Sequence, residues 1–222
     1  MSNINCYIYH HLGLGDHFIC NGLVRHIIDR SKLDKVSLVV KKSNLRNVER
    51  MFRDRKEVEF YPIERDSDFV PRKGVPVLKV GFERCRNMEF DKSFYECVIA
   101  PFSERWEAWH VDRDLDKERE VQSHLNAEGD YIFVHDKSST GDYKLNIKSD
   151  LRQIKPKKIK CENSVFDWIG VIENAKEIHA INSSFVHLID SIKTNGKLYY
   201  HDIKPNTVGF SLRKNWEIIN YG

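Results

Sequence analysis

The sequence lacks the long apolar stretches that cross membranes. No segment approaches the roughly eighteen consecutive apolar residues that a transmembrane helix requires. Residues 1–6 also lack the basic start and apolar core of a secretory signal peptide. We therefore predict a protein without a transmembrane segment.

Cysteine spacings typical of metal sites and disulfide frameworks are missing as well. The odd number of cysteines and the lack of any Cys-x-x-Cys pair argue against a structural zinc site and a disulfide scaffold. The five cysteines are Cys6, Cys20, Cys85, Cys97 and Cys161. Apolar neighbours surround Cys6, Cys20 and Cys97, so we expect buried, reduced thiols, which favour a cytoplasmic protein.

An excess of charge of one sign is absent. The 36 basic and 33 acidic residues give a net charge of +3, which is too balanced to predict nucleic-acid binding. Residues 144–160 are locally basic but contain no interleaved aromatic residues for base stacking. We interpret that run as a solvated face and expect no nucleic-acid partner.

Common hydrolase and phosphate-loop motifs do not occur either. There is no Gly-x-Ser-x-Gly, no His-Glu-x-x-His and no Gly-Lys-Ser/Thr loop, and the ten histidines show no metal-ligand spacing. Asp112-Arg113-Asp114 has the Asp-x-Asp pattern, but it lies in a charged stretch that we interpret as surface. No metal site is expected.

What the sequence does contain is an alternation of strand and helix patterns, with 41% hydrophobic and 31% charged residues over 222 positions. Predicted strands cover 4–9, 36–40, 58–63, 75–80, 131–135, 177–181 and 198–201, and a short element covers 216–221. Predicted helices cover 17–29, 44–55, 164–174 and 182–192, and an aromatic, mostly helical segment covers 89–110. Aromatic residues at that density are more typical of a core than of a ligand-binding site.

The β-α-β order predicts parallel sheets with right-handed crossovers. The charged residues 112–120 are interpreted as a solvated connector. We therefore predict an α/β protein with two small Rossmann-like domains, one over 1–115 and the other over 116–222.

A glycine-containing turn follows the first strand. Gly13 and Gly15 precede a helix at the carboxyl edge of the predicted sheet, where open α/β sheets bind ligands. A dinucleotide fingerprint would need a third glycine where Phe18 stands and an acid where Lys41 and Lys42 stand. NAD is therefore disfavoured, whereas lysines could bind the 2′-phosphate of NADP.

Asp16 comes directly after this turn and has two interpretations. It could be an ordinary N-cap of the helix. A capping carboxylate could still present one oxygen to a cleft, so Asp16 is also a candidate functional residue.

A second set of polar residues follows the strand predicted at 177–181. Asn182, Ser183 and Ser184 could cap the next helix and leave free N–H groups beside the positive end of its dipole, which suits a diphosphate. His187 lies four residues after Ser183 and so shares its face of the helix. The alternative is a capped amphipathic helix with a partly buried histidine.

A third set follows the strand at 131–135. His135, Lys137 and Ser138 lie where that strand ends, and a lysine there could neutralise a phosphate. A plain surface loop is the alternative.

Together these residues resemble GT-B glycosyltransferases of the ADP-heptose:lipopolysaccharide heptosyltransferase type. That family begins with a strand, Gly-x-Gly-Asp and a helix, matched by Gly13-Leu14-Gly15-Asp16. Its second domain carries Asp-Ser/Thr-Gly-x-x-His, and residues 182–187 are similar, with Asn for Asp and Ser for Gly. The stretch at 182–185 also resembles GDP-fucose-dependent fucosyltransferases. The middle and C-terminal parts of the chain are similar to short glycosyltransferase-like proteins of phages and large viruses.

The resemblance implies a compact GT-B arrangement and transfer of a hexosyl, heptosyl or fucosyl group from a nucleotide sugar to a glycan or other hydroxyl acceptor. It implies Asp16 as general base, direct displacement with inversion, and no metal or other cofactor. Donor-binding residues would be Gly13, Gly15, His135, Lys137, Ser138, Asn182, Ser183, Ser184 and His187. Two alternatives remain: a binding module without catalysis, and an NADP-dependent reductase.

Overall fold

The computed structural model describes residues 5–84, 89–157, 164–203 and 209–221. The chain forms two compact units. Unit 1 comprises residues 1–112 and 208–211, and unit 2 comprises residues 113–207 and 212–222. The chain therefore leaves unit 1 after Asp112, returns to it for four residues and then continues in unit 2. The expected division after residue 115 differs from this one by three positions and by that return.

Unit 1 contains a four-stranded sheet in the order β3-β2-β1-β4, and all its pairings are parallel. Its strands are β1 (Cys6–Tyr9), β2 (Val36–Lys41), β3 (Val58–Ile63) and β4 (Val77–Lys79). Strand β2 is buried along its length except for Lys41, as expected for an apolar inner strand of a parallel sheet. The strand–helix alternation of the sequence predicted the parallel pairing of these strands.

The helices of unit 1 are α1 (Leu14–Ile19), α2 (Asn21–Ser31), α3 (Leu45–Met51), α4 (Phe90–Glu96) and α5 (Glu104–Glu107). The single helix predicted for 17–29 is wrong, because two helices meet at Cys20, which ends α1 and precedes α2. The backbone of Cys20 (φ −86°, ψ 1°) departs from helical geometry at that point.

The described strands of unit 2 are β5 (Tyr131–His135), β6 (Lys137–Ser138), β7 (Gly141–Asp142), β8 (Arg152–Ile154), β9 (Glu177–Ile181), β10 (Lys197–Asp202) and β11 (Trp216–Asn220). Five of them form a parallel sheet in the order β11-β10-β9-β5-β8. Strands β6 and β7 form a small antiparallel hairpin. Strand β8 lies inside the basic run that we interpreted as a solvated face, and two of its three residues are exposed. Residues 158–160 of that run lie outside the described residues.

The helices of unit 2 are α6 (Leu115–His124), α7 (Ile169–Asn174) and α8 (Ser184–Ser191). Helix α6 corrects the interpretation of 112–120 as a solvated connector. Glu118 on α6 is only 3% exposed and accepts hydrogen bonds from Arg113, which also binds Glu173. None of the helices in the described ranges has the length and apolar composition needed to span a bilayer.

Three cysteines lie in the described part of the chain, and all are free thiols. Cys20 is buried as predicted, whereas Cys6 and Cys97 are only half-buried, so the expectation of burial is wrong for these two thiols. Cys85 and Cys161 lie outside the described residues.

The aromatic segment at 89–110 contributes to the core of unit 1. Phe94 and Tyr95 of α4 are buried, and the Tyr95 hydroxyl donates to the Ile19 carbonyl at 2.7 Å. For these two residues the core interpretation is confirmed.

Candidate functional site

The glycine turn of unit 1 holds the carboxylate of Asp16. Gly13 is the N-cap of α1, and its backbone N–H donates to Oδ2 of Asp16 at 3.1 Å. Asp16 is thus the third residue of the helix, and the N-cap interpretation is wrong because α1 begins before it. Gly15 lies in the first turn of α1.

A side chain at position 13 would collide with this carboxylate. A Cβ on Gly13 would lie 2.6 Å from Oδ2 of Asp16. The backbone of Gly13 (φ −67°, ψ 150°) suits any residue, so a larger residue is disfavoured here by the position of the Asp16 carboxylate and not by the turn geometry.

The environment of Asp16 raises the pKa of its carboxyl group. Burial raises the pKa of the half-buried carboxyl above its usual value, and His11, the Gly13 N–H and Lys41 oppose the shift without cancelling it. His11 itself contacts Glu83, with Nε2 and Oε2 at 2.9 Å. A carboxylate with a raised pKa in a partly desolvated turn has the properties of a general base.

Two buried histidines lie on either side of the turn. The rings of His10 and His17 meet edge to face with centroids 4.4 Å apart, and each is 1% exposed. Burial lowers the pKa of both, to about 4 for His10, so both rings are neutral near pH 7. Within the described residues, Nε2 of His10 and both ring nitrogens of His17 have no hydrogen-bond partner.

The lysines that an NADP site would use are held by acids. Lys41 lies 3.3 Å from Asp66, and Lys42 lies 3.0 Å from Glu64. A 2′-phosphate would have to displace these carboxylates.

In unit 2, the start of α8 contacts the end of β5. The Ser183 hydroxyl lies 3.0 Å from Nδ1 of His135, and the His135 ring stacks on Phe185 with centroids 4.2 Å apart. Ser183 occupies the N-cap position, but its side chain accepts no hydrogen bond from its own helix. The prediction that this hydroxyl caps α8 is therefore wrong, because the side chain turns to His135.

The other predicted residues of this edge differ in exposure. Asn182 is exposed, Ser184 is half-buried, and His187 is 6% exposed one turn further along α8. Lys137 is exposed and lies 2.7 Å from Asp142 across the β6–β7 hairpin. The lysine therefore carries an acidic partner of its own.

A cavity of about 230 Å³ lies at the carboxyl edge of the unit 2 sheet. Two predicted residues, Ser138 and Asn182, line it. Tyr143, which follows the hairpin, also lines the cavity, and the end of β10 supplies His201 and Asp202. Sequence reasoning missed the β10 contribution.

A buried hydrogen-bonded chain supports this cavity and was also missed. Nε2 of His179 contacts Glu177 at 3.3 Å, and Nδ1 contacts Nε2 of His201 at 2.9 Å. Nδ1 of His201 in turn contacts the Tyr221 hydroxyl at 2.7 Å. Because a carboxylate only accepts and both rings are neutral, each group donates toward Glu177, starting from the Tyr221 O–H. The signal available in the sequence was a histidine within each of two predicted strands, His179 in β9 and His201 in β10.

Among the described residues, no group of three or more His, Cys, Asp or Glu side chains is placed to hold a metal ion. The sequence matches no protein-family model and no curated protein. Solved structures similar to this chain include two that match it over nearly its whole length.

The first is a glycosyl transferase family 9 protein from Veillonella parvula, with 8% identity and a TM-score of 0.57 over 99% of this chain and 88% of that chain. The second is the Escherichia coli heptosyltransferase WaaC with ADP, with 10% identity and a TM-score of 0.55 over 97% of this chain and 91% of that chain. The chain has the two-domain Rossmann-like GT-B fold. At this identity the likeness is one of fold, and it confirms the α/β fold class predicted from the sequence.

Proposed function

We propose that this chain is a glycosyltransferase that moves a sugar from a nucleoside-diphosphate sugar to a hydroxyl of a glycan or similar acceptor. The observation that carries the proposal is Asp16, a half-buried carboxylate with a raised pKa, held by the Gly13 N–H beside the end of β1. A general base is most effective when its pKa approaches the working pH. The fold shared with two glycosyltransferases supports the same conclusion.

In the proposed reaction Asp16 accepts the proton of the acceptor hydroxyl as the oxygen attacks the anomeric carbon. The bond between that carbon and the diphosphate oxygen breaks, and the nucleoside diphosphate leaves with the bonding electrons. A single displacement of this kind inverts the configuration of the anomeric carbon.

Unit 2 is proposed to bind the donor. The cavity lined by Ser138 and Asn182 would take the nucleoside, and the N–H groups at the start of α8, with Ser183 and Ser184, would take the diphosphate. Stabilising the charge that develops on the leaving group is usually the largest contribution to such a rate. The ADP of the Escherichia coli heptosyltransferase is a nucleoside diphosphate bound by a protein of similar fold.

The remaining donor residues act around this position. Lys137 would exchange Asp142 for a phosphate, His187 would add a donor from α8, and His135 would orient Ser183. The proposed mechanism uses these donors and involves no metal ion. The transferred group is proposed to be a hexosyl, heptosyl or fucosyl residue.

Thermal unfolding of the whole chain against UDP-, GDP-, ADP- and CMP-sugars and NADPH, without added metal, tests the proposal. A donor at about 100 times its Kd stabilises a protein by about 2.7 kcal/mol, which gives a clear rise in Tm. We expect one nucleotide-sugar series to raise the Tm, and the same donor to be hydrolysed or transferred. Stabilisation by NADPH only would overturn the proposal in favour of a reductase. Donor binding without hydrolysis or transfer to any acceptor would instead identify a binding module.

A further inference from the structure

We infer that Asp202 binds the ribose hydroxyls of the donor nucleotide, which makes the leaving group a ribonucleoside diphosphate. This inference rests on the proposed function, because it concerns the cavity assigned there to the donor. Asp202 is the last residue of β10 and lines that cavity together with Asn182 from the end of β9.

The topology places Asp202 where a ribose would lie. Strands β9 and β10 are parallel neighbours, with His201 paired to Ile181, so Asp202 follows directly beside Asn182. Helix α8 begins two residues later than Asn182 and connects the two strands. In β-α-β units that bind nucleotides, the diphosphate lies at the helix start and an acid at the end of the second strand binds the ribose.

The Asp202 carboxylate is half-buried and, in the described part of the chain, makes no hydrogen bond and no ion pair. Other acids of unit 2 near this edge are engaged: Asp136 pairs with Lys155, and Asp142 pairs with Lys137. A ligand that supplies hydroxyl donors would give this carboxylate hydrogen bonds that the described residues do not provide.

The rest of the described cavity wall carries no charge. Both ring nitrogens of His201 are used in the buried chain, and burial lowers its pKa to about 4. The hydroxyls of Ser138, Thr140 and Tyr143 bind one another at 2.8 Å and 2.7 Å. Of the described lining residues, Asp202 is therefore the one ionised group, and it attracts hydroxyl donors while repelling a phosphate at the same position.

Calorimetric titration of the whole chain with ADP, GDP, UDP and CDP first identifies the tightest nucleotide. That nucleotide is then compared with its 2′-deoxy and 3′-deoxy forms on the wild type and on Asp202→Ala. We expect at least one deoxy form to bind the wild type about tenfold or more weakly, because a charge-assisted hydrogen bond is lost. In Asp202→Ala, removal of the same ribose hydroxyl should change the Kd little. This non-additivity would show that the hydroxyl binds Asp202.

Asp150→Ala is the control, because it removes an exposed carboxylate of the same unit. It should bind the nucleotide and its deoxy forms with the same difference in Kd as the wild type. Two results would overturn the ribose assignment while donor binding stands. One is equal binding of the ribose and both deoxy forms to the wild type, which needs no variant. The other is undiminished discrimination by Asp202→Ala. If none of the four nucleotides binds the wild type, the inference and the donor site of the proposed function both fail.

Discussion

The Ser183 hydroxyl lies 3.0 Å from Nδ1 of His135 and joins the start of α8 to the end of β5. The pKa of His135 is lowered by burial to about 4, so the ring is neutral near pH 7 and the contact is a hydrogen bond without an ion pair. Stacking on Phe185 holds the ring in place. The first N–H groups of α8 are consequently not capped by Ser183.

Replacing this serine should weaken donor binding. In Ser183→Ala the hydroxyl and its contact with His135 are lost, and we expect the Kd of the donor nucleotide to rise about tenfold, the usual effect of one hydrogen bond to a charged group. Calorimetric titration measures it. Ser191→Ala is the matched control, because that hydroxyl donates to the His187 carbonyl at the other end of the same helix. Equal affinities in all three proteins would contradict the role of Ser183.

Asp16→Asn should strongly reduce turnover and leave the fold intact. The amide oxygen of asparagine can still accept the hydrogen bond from the Gly13 N–H, but the amide cannot act as a base. We therefore expect kcat to fall about a hundredfold or more. The Tm should change by no more than about 2 °C, since a partly desolvated charge is removed together with its hydrogen bond. In Asp68→Asn, which alters an exposed carboxylate that accepts the Arg65 N–H in the same way, kcat should be unchanged. Near-normal turnover by Asp16→Asn would exclude the base role.

The pH dependence of the rate should report the same carboxyl. The carboxylate is the active form, so kcat/KM is full above the pKa of Asp16 and falls about tenfold per pH unit below it. Burial raises that pKa, so the fall should begin above the ordinary aspartate value of about 3.9. A pH profile of kcat/KM at constant ionic strength measures the midpoint. A midpoint at or below the ordinary value would argue against Asp16.

Gly13→Ala should impair catalysis through the position of Asp16. The added methyl group would lie 2.6 Å from Oδ2, so the carboxylate must move, and a displacement of about 1 Å can reduce a rate about a hundredfold. We expect kcat to fall at least tenfold with folding retained. In Gly209→Ala the new Cβ meets nothing within 4 Å, so this control should be fully active. Unchanged kcat in Gly13→Ala would show that the close contact has no catalytic role.

Buried neutral histidines should make the free energy of unfolding depend on pH. The pKa of His201 is lowered to about 4 in the folded protein, against about 6.5 in the unfolded chain. The unfolded state binds more protons between these values, so this contribution is full above about pH 6.5 and is lost as the pH falls toward 4. Urea unfolding at about pH 7 and pH 5 measures this contribution. From about pH 7 to pH 5, the free energy of unfolding should decrease less in His201→Phe than in the wild type, by on the order of 1 kcal/mol. Equal decreases in both proteins would contradict the shift.

The elements that could be predicted from the sequence are those whose own residue types indicate them. Strands β2, β5 and β9 are apolar runs, and Gly13 and Asp16 mark the turn after β1 by local pattern. Strand β8 was missed because Arg152 and Gln153 are exposed on the edge of the sheet. Helix α6 was missed because Glu118 is buried with Arg113, a partnership that composition does not indicate.

The same limit applies to the candidate site. Pairing of β9 with β10 brings His179 near His201 and places Asp202 beside Asn182. A sequence shows these residues about twenty positions apart, and only the strand register makes them neighbours. The turn of unit 1 could therefore be predicted, whereas much of the cavity in unit 2 could not.

The return of residues 208–211 to unit 1 affects the order in which the protein can fold during synthesis. Asp91 is buried with Arg105, and it also accepts the Ser211 N–H at 2.8 Å. This N–H is made more than a hundred residues after Arg105, when the strands of unit 2 through β10 have already been synthesised. On the ribosome, unit 1 therefore lacks this hydrogen bond until most of unit 2 has been synthesised. A fragment cut after residue 112 would never acquire it.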